Sequence, residues 1–233
     1  MQDFVHLHVH TQYSILDGQA SVPKLVDKAI RDGMRGMAVT DHGNMMGIKE
    51  FFNYTNKVTG KAKGIVKDTE AKLEALRDGT YKPKLDKEGK NPDEGKTTDE
   101  LIAECEATLK KQRPIAQFKP IFGCEMYVAR RGDKALKEVR ADQSGWHLIV
   151  LAKNEHGYHN LIKLVSNAWV DGFYMKPRTD HKELEKYHED LIVCSACLGG
   201  EVPQKILAGQ IEDAEKSVQW FKNLFGDDYY LEL

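Results

Sequence analysis

Phe4-Val5-His6-Leu7-His8-Val9-His10-Thr11-Gln12-Tyr13-Ser14 is the stretch from which the fold of this chain is read. Apolar and histidine residues alternate up to Val9 and then yield to a polar run, the pattern of a strand that ends in a loop. In an extended backbone His6, His8 and His10 share one face, with Val5, Leu7 and Val9 on the other. Imidazoles two residues apart on one strand chelate without backbone movement, and neutral imidazole suits zinc, manganese and iron. Two blander readings compete: a strand with surface histidines, or a tag remnant. The alternation with Val and Leu argues against a tag.

The 233 residues suffice for one large α/β barrel or two small domains with a sizeable core. Lys and Arg number 34 against 36 Asp and Glu, a net charge of −2, so the chain carries no electrostatic footprint for nucleic acid. Any DNA contact is then local or made by other parts of a larger protein. No apolar run approaches a membrane span and no signal-peptide core opens the chain, which predicts a soluble, cytoplasmic protein without membrane contact. Cys105, Cys124, Cys194 and Cys197 are too few and too irregular for a disulfide framework.

Outward from the first strand, short apolar runs alternate with helical patterns, the signature of parallel β/α architecture. Ser21 is placed to cap a helix with Pro23 in its first turn, a buried face of Leu25, Val26, Ala29 and Ile30, and Gly33 as its stop. Met34 to Thr40 reads as the second strand, and a helix follows through Phe51, Phe52 and Tyr54. From Gly60 to Arg113 the composition changes, so residues 60–113 are read as an insertion on the barrel exterior, with Tyr81 to Lys96 loose. Within it Thr97 and Glu100 form a capping box before Leu101, Ile102, Cys105 and Leu109. Strands resume at Pro120 to Val128, Trp146 to Leu151 and Leu191 to Ser195. Asn154 caps a helix expected to bury Tyr158, Leu161, Ile162, Val165 and Trp169. A last amphipathic helix carries Ile211, Ala214, Val218, Phe221 and Phe225, with Gly226 behind it. Tyr229 to Leu233 then begins a strand, as if the chain were a fragment of something longer.

In parallel β/α folds ligands bind at the carboxyl ends of the strands. Those positions hold His8, His10 and Asp17, then Asp41 and His42, then Glu125, His147 and Cys197. Each alone is weak, because a lone strand-end His is commonly a polar cap and Asp17-Gly18 a turn. Together they offer more ligand types than one ion takes and suit a two- or three-metal cluster with a bridging carboxylate. The Cys194-Ser195-Ala196-Cys197 pair lacks the second C-x-x-C of a zinc knuckle and the helix N-terminus of a redox pair. Cys194 is therefore read as a core thiol and Cys197 as the ligand.

His8-Val9-His10-Thr11, Thr40-Asp41-His42-Gly43, Gly123-Cys124-Glu125-Met126-Tyr127, the strand at His147, and Ser195-Ala196-Cys197-Leu198-Gly199-Gly200-Glu201 resemble successive motifs of the PHP (polymerase and histidinol phosphatase) superfamily. Tyr13-Ser14-Ile15-Leu16-Asp17-Gly18 and Gly172-Phe173-Tyr174-Met175-Lys176-Pro177-Arg178 narrow the resemblance to the amino-terminal PHP domain of bacterial DNA polymerase III alpha subunits. The resemblance covers residues 1–233 apart from the insertion.

That resemblance implies a distorted seven-stranded β/α barrel, here truncated before its last strands, holding up to three zinc, manganese or iron ions. The matching metal positions are His8, His10, Asp17, His42, Glu125, His147 and Cys197, with Glu125 bridging. Asp41 is assigned to orienting an imidazole, and His6 falls outside the pattern. The family's last Asp-x-His pair has no counterpart before Leu233. Relatives with intact sites resemble metal-dependent phosphoesterases, including a 3′ to 5′ exonuclease able to proofread, with Glu125 and His42 at the reacting centre. Arg178 is a candidate for a bidentate phosphate contact and Lys176 for a point charge, the alternative being solvated loop charges. The implied parent is a DNA-directed DNA polymerase with Mg in its polymerase part, DNA as substrate, and a proofreading exonuclease and sliding clamp as partners. A free-standing phosphatase such as histidinol phosphatase and a non-catalytic docking domain are the competing functions.

Overall fold

Gly36-Met37-Ala38-Val39, buried on both faces, form β1 (Gly36–Val39) of a computed structural model that describes residues 4–232. The helix before it, α1 (Val22–Arg31), carries Pro23 in its first turn and buries Val22, Val26 and Ala29. β1 pairs in parallel with β2 (Lys119–Ala129), the long central strand. β3 (Gly145–Ala152) then runs antiparallel to β2, and β5 (Leu191–Cys194) antiparallel to β3. β6 (Tyr229–Tyr230) lies parallel to β5, and the two-residue β4 (Arg178–Thr179) pairs in parallel with β2 on the edge opposite β3. The result is an open six-stranded mixed sheet in the order β1-β2-β3-β5-β6, with helices α4 (Glu155–Val170), α5 (His181–Tyr187), α6 (Glu201–Leu207) and α7 (Ile211–Phe225) around it.

This corrects the wholly parallel β/α expectation. Residues 130–144 between β2 and β3 contain one short 3-10 turn and no crossover helix, so the chain turns back and pairs antiparallel. The main core lies between the sheet and α4, α5 and α7, around Met126, Leu148, Leu164, Leu184 and Phe221. A second cluster joins β1, α1 and the start of α2 (Ile48–Arg77) through Val26, Val39, Ile48 and Phe51.

The histidine-bearing segment is extended but forms no regular ladder. Ala38 N donates to His6 O at 2.8 Å and Thr40 N to Val9 O at 2.9 Å. The two-residue step from Ala38 to Thr40 thus faces a three-residue step from His6 to Val9, a bulge-like slip. Thr40 Oγ1 takes the Val9 N–H at 2.8 Å. The slip breaks the shared face expected for the three histidines: His6 is exposed and meets the Phe4 ring edge-on, while His8 and His10 turn inward.

Two helices also depart from their expected bounds or faces. α2 continues through Gly60 and Gly64 for 30 residues and packs against α3 (Thr98–Ala116), so residues 60–77 are helical. Leu73, Leu76, Leu101, Cys105 and Leu109 form a small core of this hairpin, and the Thr97–Glu100 capping box is present. Residues 82–96 form no helix or strand, yet Asp93 holds both Lys72 Nζ, at 2.7 Å, and the Tyr81 hydroxyl. α4 buries Gly157, Leu161, Leu164 and Ala168 rather than Tyr158, Ile162 and Trp169. A Cβ on Gly157 would lie 2.0 Å from Asp190 O, so this glycine faces the chain entering β5 and rotates the helix. Of the predicted last strand, Tyr229 and Tyr230 pair, and Leu233 lies outside the described residues.

Candidate metal centre

Glu125 sits near the middle of β2 with no exposed surface, and four imidazoles from three segments surround its carboxylate. Oε1 lies 3.2 Å from His8 Nε2 and 2.9 Å from His147 Nδ1. Oε2 touches His42 Nδ1 and lies 4.0 Å from His10 Nε2. Burial alone would raise the carboxyl pKa, but His147, His42 and His8 outweigh it and hold Glu125 ionised far below the usual carboxylate range.

The surrounding backbone brings these groups together. His42 continues β1 and forms a parallel bridge with Glu125, while Gly43 N donates to Glu125 O at 2.8 Å. His147 lies on β3, where its N–H donates to Gly199 O at 2.9 Å and its ring packs on Gly199, whose added Cβ would stand 2.8 Å from His147 Nδ1. Cys197 follows β5 through Ala196, a buried residue with φ of 61°, which directs the thiol to 3.9 Å from His147 Nδ1. A left-handed non-glycine at this point is local strain placed where a donor must be aimed. Asp17 rides on a tight loop in which Gly18 approaches Thr11 so closely that a Cβ would lie 1.9 Å from Thr11 O. Its carboxylate reaches His42 Nε2 at 2.9 Å.

Asp41 is buried and orients the centre through hydroxyls rather than through an imidazole directly. It accepts from Thr11 N at 2.7 Å, Thr11 Oγ1 at 2.8 Å and Ser14 Oγ at 2.7 Å. The Ser14 hydroxyl hydrogen is thus committed to Asp41, so its oxygen accepts from His42 N and from His10 Nδ1, both at 3.1 Å. His10 therefore carries its proton on Nδ1 and turns the Nε2 lone pair toward the centre. His8 is fixed likewise, with Nδ1 facing Glu232 Oε1 at 2.6 Å.

Two observations fit a cation among these donors. The Nε2 atoms of His8 and His10 face each other at 3.1 Å, an arrangement that needs a proton or a metal between them. Glu125 Oε2 and His42 Nδ1 are in contact, yet both are buried without a well-directed hydrogen bond. Without a metal the proton takes that place: burial lowers the His8 pKa, but Glu125 and Glu232 push it up to about 10. The donors divide into His8–His10–Glu125, His10–Asp17–His42 and Glu125–His147–Cys197, linked by Glu125 and His10. Nitrogen, oxygen and thiolate donors in such sets suit transition metals more than Mg or Ca.

All seven sequence-predicted positions meet at this one centre. Arg178 does not join it. Its side chain is fully buried, with Nε donating to Gly172 O at 3.1 Å, Nη1 to Leu136 O at 3.0 Å and Nη2 to Lys134 O at 2.6 Å. The guanidinium is spent on main-chain carbonyls and is not presented to a phosphate. Lys176, two residues earlier, is exposed, with its ammonium 5.4 Å from the centre of the Tyr127 ring, which faces His42 and His147. Cys194 is buried, its thiol pushed up to about 11 by burial, in keeping with a packed core residue. Glu232 escaped the sequence reading, because nothing local marks a glutamate beyond β6 as a neighbour of His8.

The PHP domain family model matches residues 6–233. The DNA polymerase III subunit alpha of Borreliella burgdorferi is 37% identical over 230 residues, covering 99% of this chain and 15% of the relative. That of Treponema pallidum is 35% identical over 231 residues, again 99% of this chain and 15% of the relative. The Aquifex aeolicus protein of the same name is 33% identical over 237 residues, with 100% and 15% coverage. The chain thus spans about 15% of the length of these curated relatives, matching their amino-terminal part. On this match and the histidine, carboxylate and thiol donors gathered around Glu125, the chain belongs to the PHP domain family.

Proposed function

We propose that this chain is the metal-binding PHP module at the amino end of a replicative DNA polymerase alpha subunit, and that its centre hydrolyses phosphodiesters at the 3′ end of single-stranded DNA. The carrying observation is the buried Glu125 carboxylate, shared by four imidazoles, two of which, His8 and His10, face each other through Nε2. The polymerase relatives, each matched over 99% or more of this chain, favour the replicase context over a free-standing phosphatase. In that context DNA, a proofreading exonuclease and a sliding clamp are the partners, Mg serves the polymerase part, and the setting is the cytoplasm. The seven-stranded barrel of the resemblance would add strands to the six seen here.

Divalent zinc, manganese or iron, when bound, supplies Lewis acidity toward a phosphoryl oxygen and lowers the pKa of water. The chain's own residues place and polarise. Glu125 presents an oxygen to each side of the centre, Ser14 holds His10 with its lone pair inward, and Asp17 sits on the exposed edge beside His42. His42, between Asp17 and Glu125, offers a ring nitrogen to the donor set at the exposed edge. Lys176 keeps the point-charge phosphate contact expected of it, whereas Arg178, bound to main-chain carbonyls, supplies no bidentate one. Trp169, tied to Gly43 O through its indole N–H, stacks on Phe173 at 5.5 Å, and both rings are exposed. Such a surface beside the centre suits a nucleobase.

The test is to purify the protein without a histidine tag, quantify metals, and follow nucleotide release from the 3′ end of a labelled single strand with zinc, manganese or iron. Expected is bound transition metal and release that disappears in Glu125→Ala. A full metal complement with release no greater than Glu125→Ala overturns the hydrolytic reading and leaves a structural or docking role. A protein that takes up no metal overturns the centre itself.

A further inference from the structure

His8 is held at its outer nitrogen by a residue that lies 224 positions away in the chain. Glu232 Oε1 stands 2.6 Å from His8 Nδ1, and both side chains are largely shielded, at 17% exposure for His8 and 27% for Glu232. The backbone of Glu232 is equally fixed. Its N–H donates to Ser195 Oγ at 2.9 Å, and Ser195 N donates to Tyr230 O at 2.9 Å. Ser195 is itself buried and begins the turn through Ala196 that delivers Cys197. One serine therefore anchors the chain beyond β6 and starts the loop that aims a thiol at the same centre. The two ends of the strand order, β1 with its flanking segment and β6 with its extension, are bridged by the His8–Glu232 contact.

We propose that Glu232 is a positioning residue that fixes the ring and tautomer of His8 for metal binding. A carboxylate only accepts hydrogen bonds, so the nitrogen facing it must carry the proton. Nδ1 of His8 is then the N–H, and Nε2, 3.2 Å from Glu125 and 3.1 Å from His10 Nε2, is the nitrogen left to offer its lone pair to a metal in place of a proton. The carboxylate also makes the imidazole a more basic ligand, and losing such a partner typically lowers metal affinity about 10- to 100-fold. A rim ion pair would lack the backbone anchoring through Ser195 and the second nitrogen directed at a buried carboxylate. The inference rests on the reading of this centre as a metal site.

The experiment titrates Zn²⁺ into the metal-stripped protein by calorimetry for the unmutated chain, Glu232→Ala, Glu232→Gln, His8→Ala and the His8→Ala/Glu232→Ala pair. The His8 ring nitrogens are followed by ¹⁵N NMR in the zinc-loaded protein. Glu232→Ala is expected to weaken the tightest zinc site about 10- to 100-fold. Glu232→Gln, which keeps an acceptor but loses the charge, should weaken it less, and the pair should bind no worse than His8→Ala. The unmutated protein should show His8 protonated on Nδ1, and Glu232→Ala should lose that single tautomer. Unchanged zinc affinity in Glu232→Ala, or an equal loss in the His8→Ala background, overturns the positioning role while leaving the metal centre standing. Absence of zinc binding by the unmutated protein overturns both.

Discussion

His42 joins the exposed rim of the centre to its buried carboxylate: Nε2 lies 2.9 Å from Asp17 Oδ2 while Nδ1 faces Glu125 Oε2. The Asp17 side chain is 60% exposed and that of Glu125 fully buried, so one ring spans from solvent to the core. On the proposed metal reading, donors at different depths belong to different trios, which separates the consequences of removing them.

Asp17→Asn and Cys197→Ser should each cost one metal equivalent, because Asp17 belongs to one donor trio and Cys197 to another. Glu125→Gln should cost two, since it is shared. Elemental analysis of the purified variants checks this, and equal losses from all three would mean a single shared ion.

Arg178→Met should destabilise the fold by about 1–3 kcal/mol, since it removes the guanidinium donors from the part-buried carbonyls of Leu136 and Lys134 and leaves Gly172 O only the Arg178 N–H at 3.4 Å. Metal content should stay unchanged. Urea unfolding beside metal analysis tests the pair of outcomes, and a stable variant with impaired nucleotide release would restore Arg178 to the site.

Acid should weaken the packing of α6 on α7 through Glu201. Burial alone would raise its pKa, but Glu201 faces His181 and accepts from Lys205 at 2.6 Å and Ser217 at 2.7 Å, contacts that hold it down to about 2. A carboxyl depressed in the folded state contributes stability above its ordinary pKa of 4.5 and loses it as pH falls toward 2. The contribution is of order 3 kcal/mol. Glu201→Gln should flatten the acid limb of a stability profile over this window, and an unchanged limb would assign the acid sensitivity elsewhere.

Replacing residues 64–112 with a short Gly/Ser linker should leave a cooperatively unfolding sheet with its metal content intact. The apolar residues of the hairpin from Leu73 to Leu109 pack on one another, whereas Ile48 and Phe51 at the base of α2 belong to the main body. Loss of soluble protein would show that the hairpin supports the sheet.

The strands around Ala38, Cys124, Ile149 and Val193, the helices beginning at Val22 and Ile211, and the Thr97 capping box were legible in the sequence, because each depends on side-chain periodicity or on capping chemistry contained in a few residues. The short β4, α5 and α6 show no such periodicity and were missed. Gly60 misled: a glycine within an exposed helix costs only about 1 kcal/mol, and packing of α2 on α3 overrides it. Only the tertiary structure decided that β3 runs antiparallel, that His6 turns away while His8 turns in, that Arg178 is spent on three carbonyls, and that Glu232 closes on His8. Strand direction, bulge register and the partner of a buried charge are set by contacts between segments far apart in the chain. The free energy of those contacts exists only once the segments are packed, so no local pattern of residues encodes it.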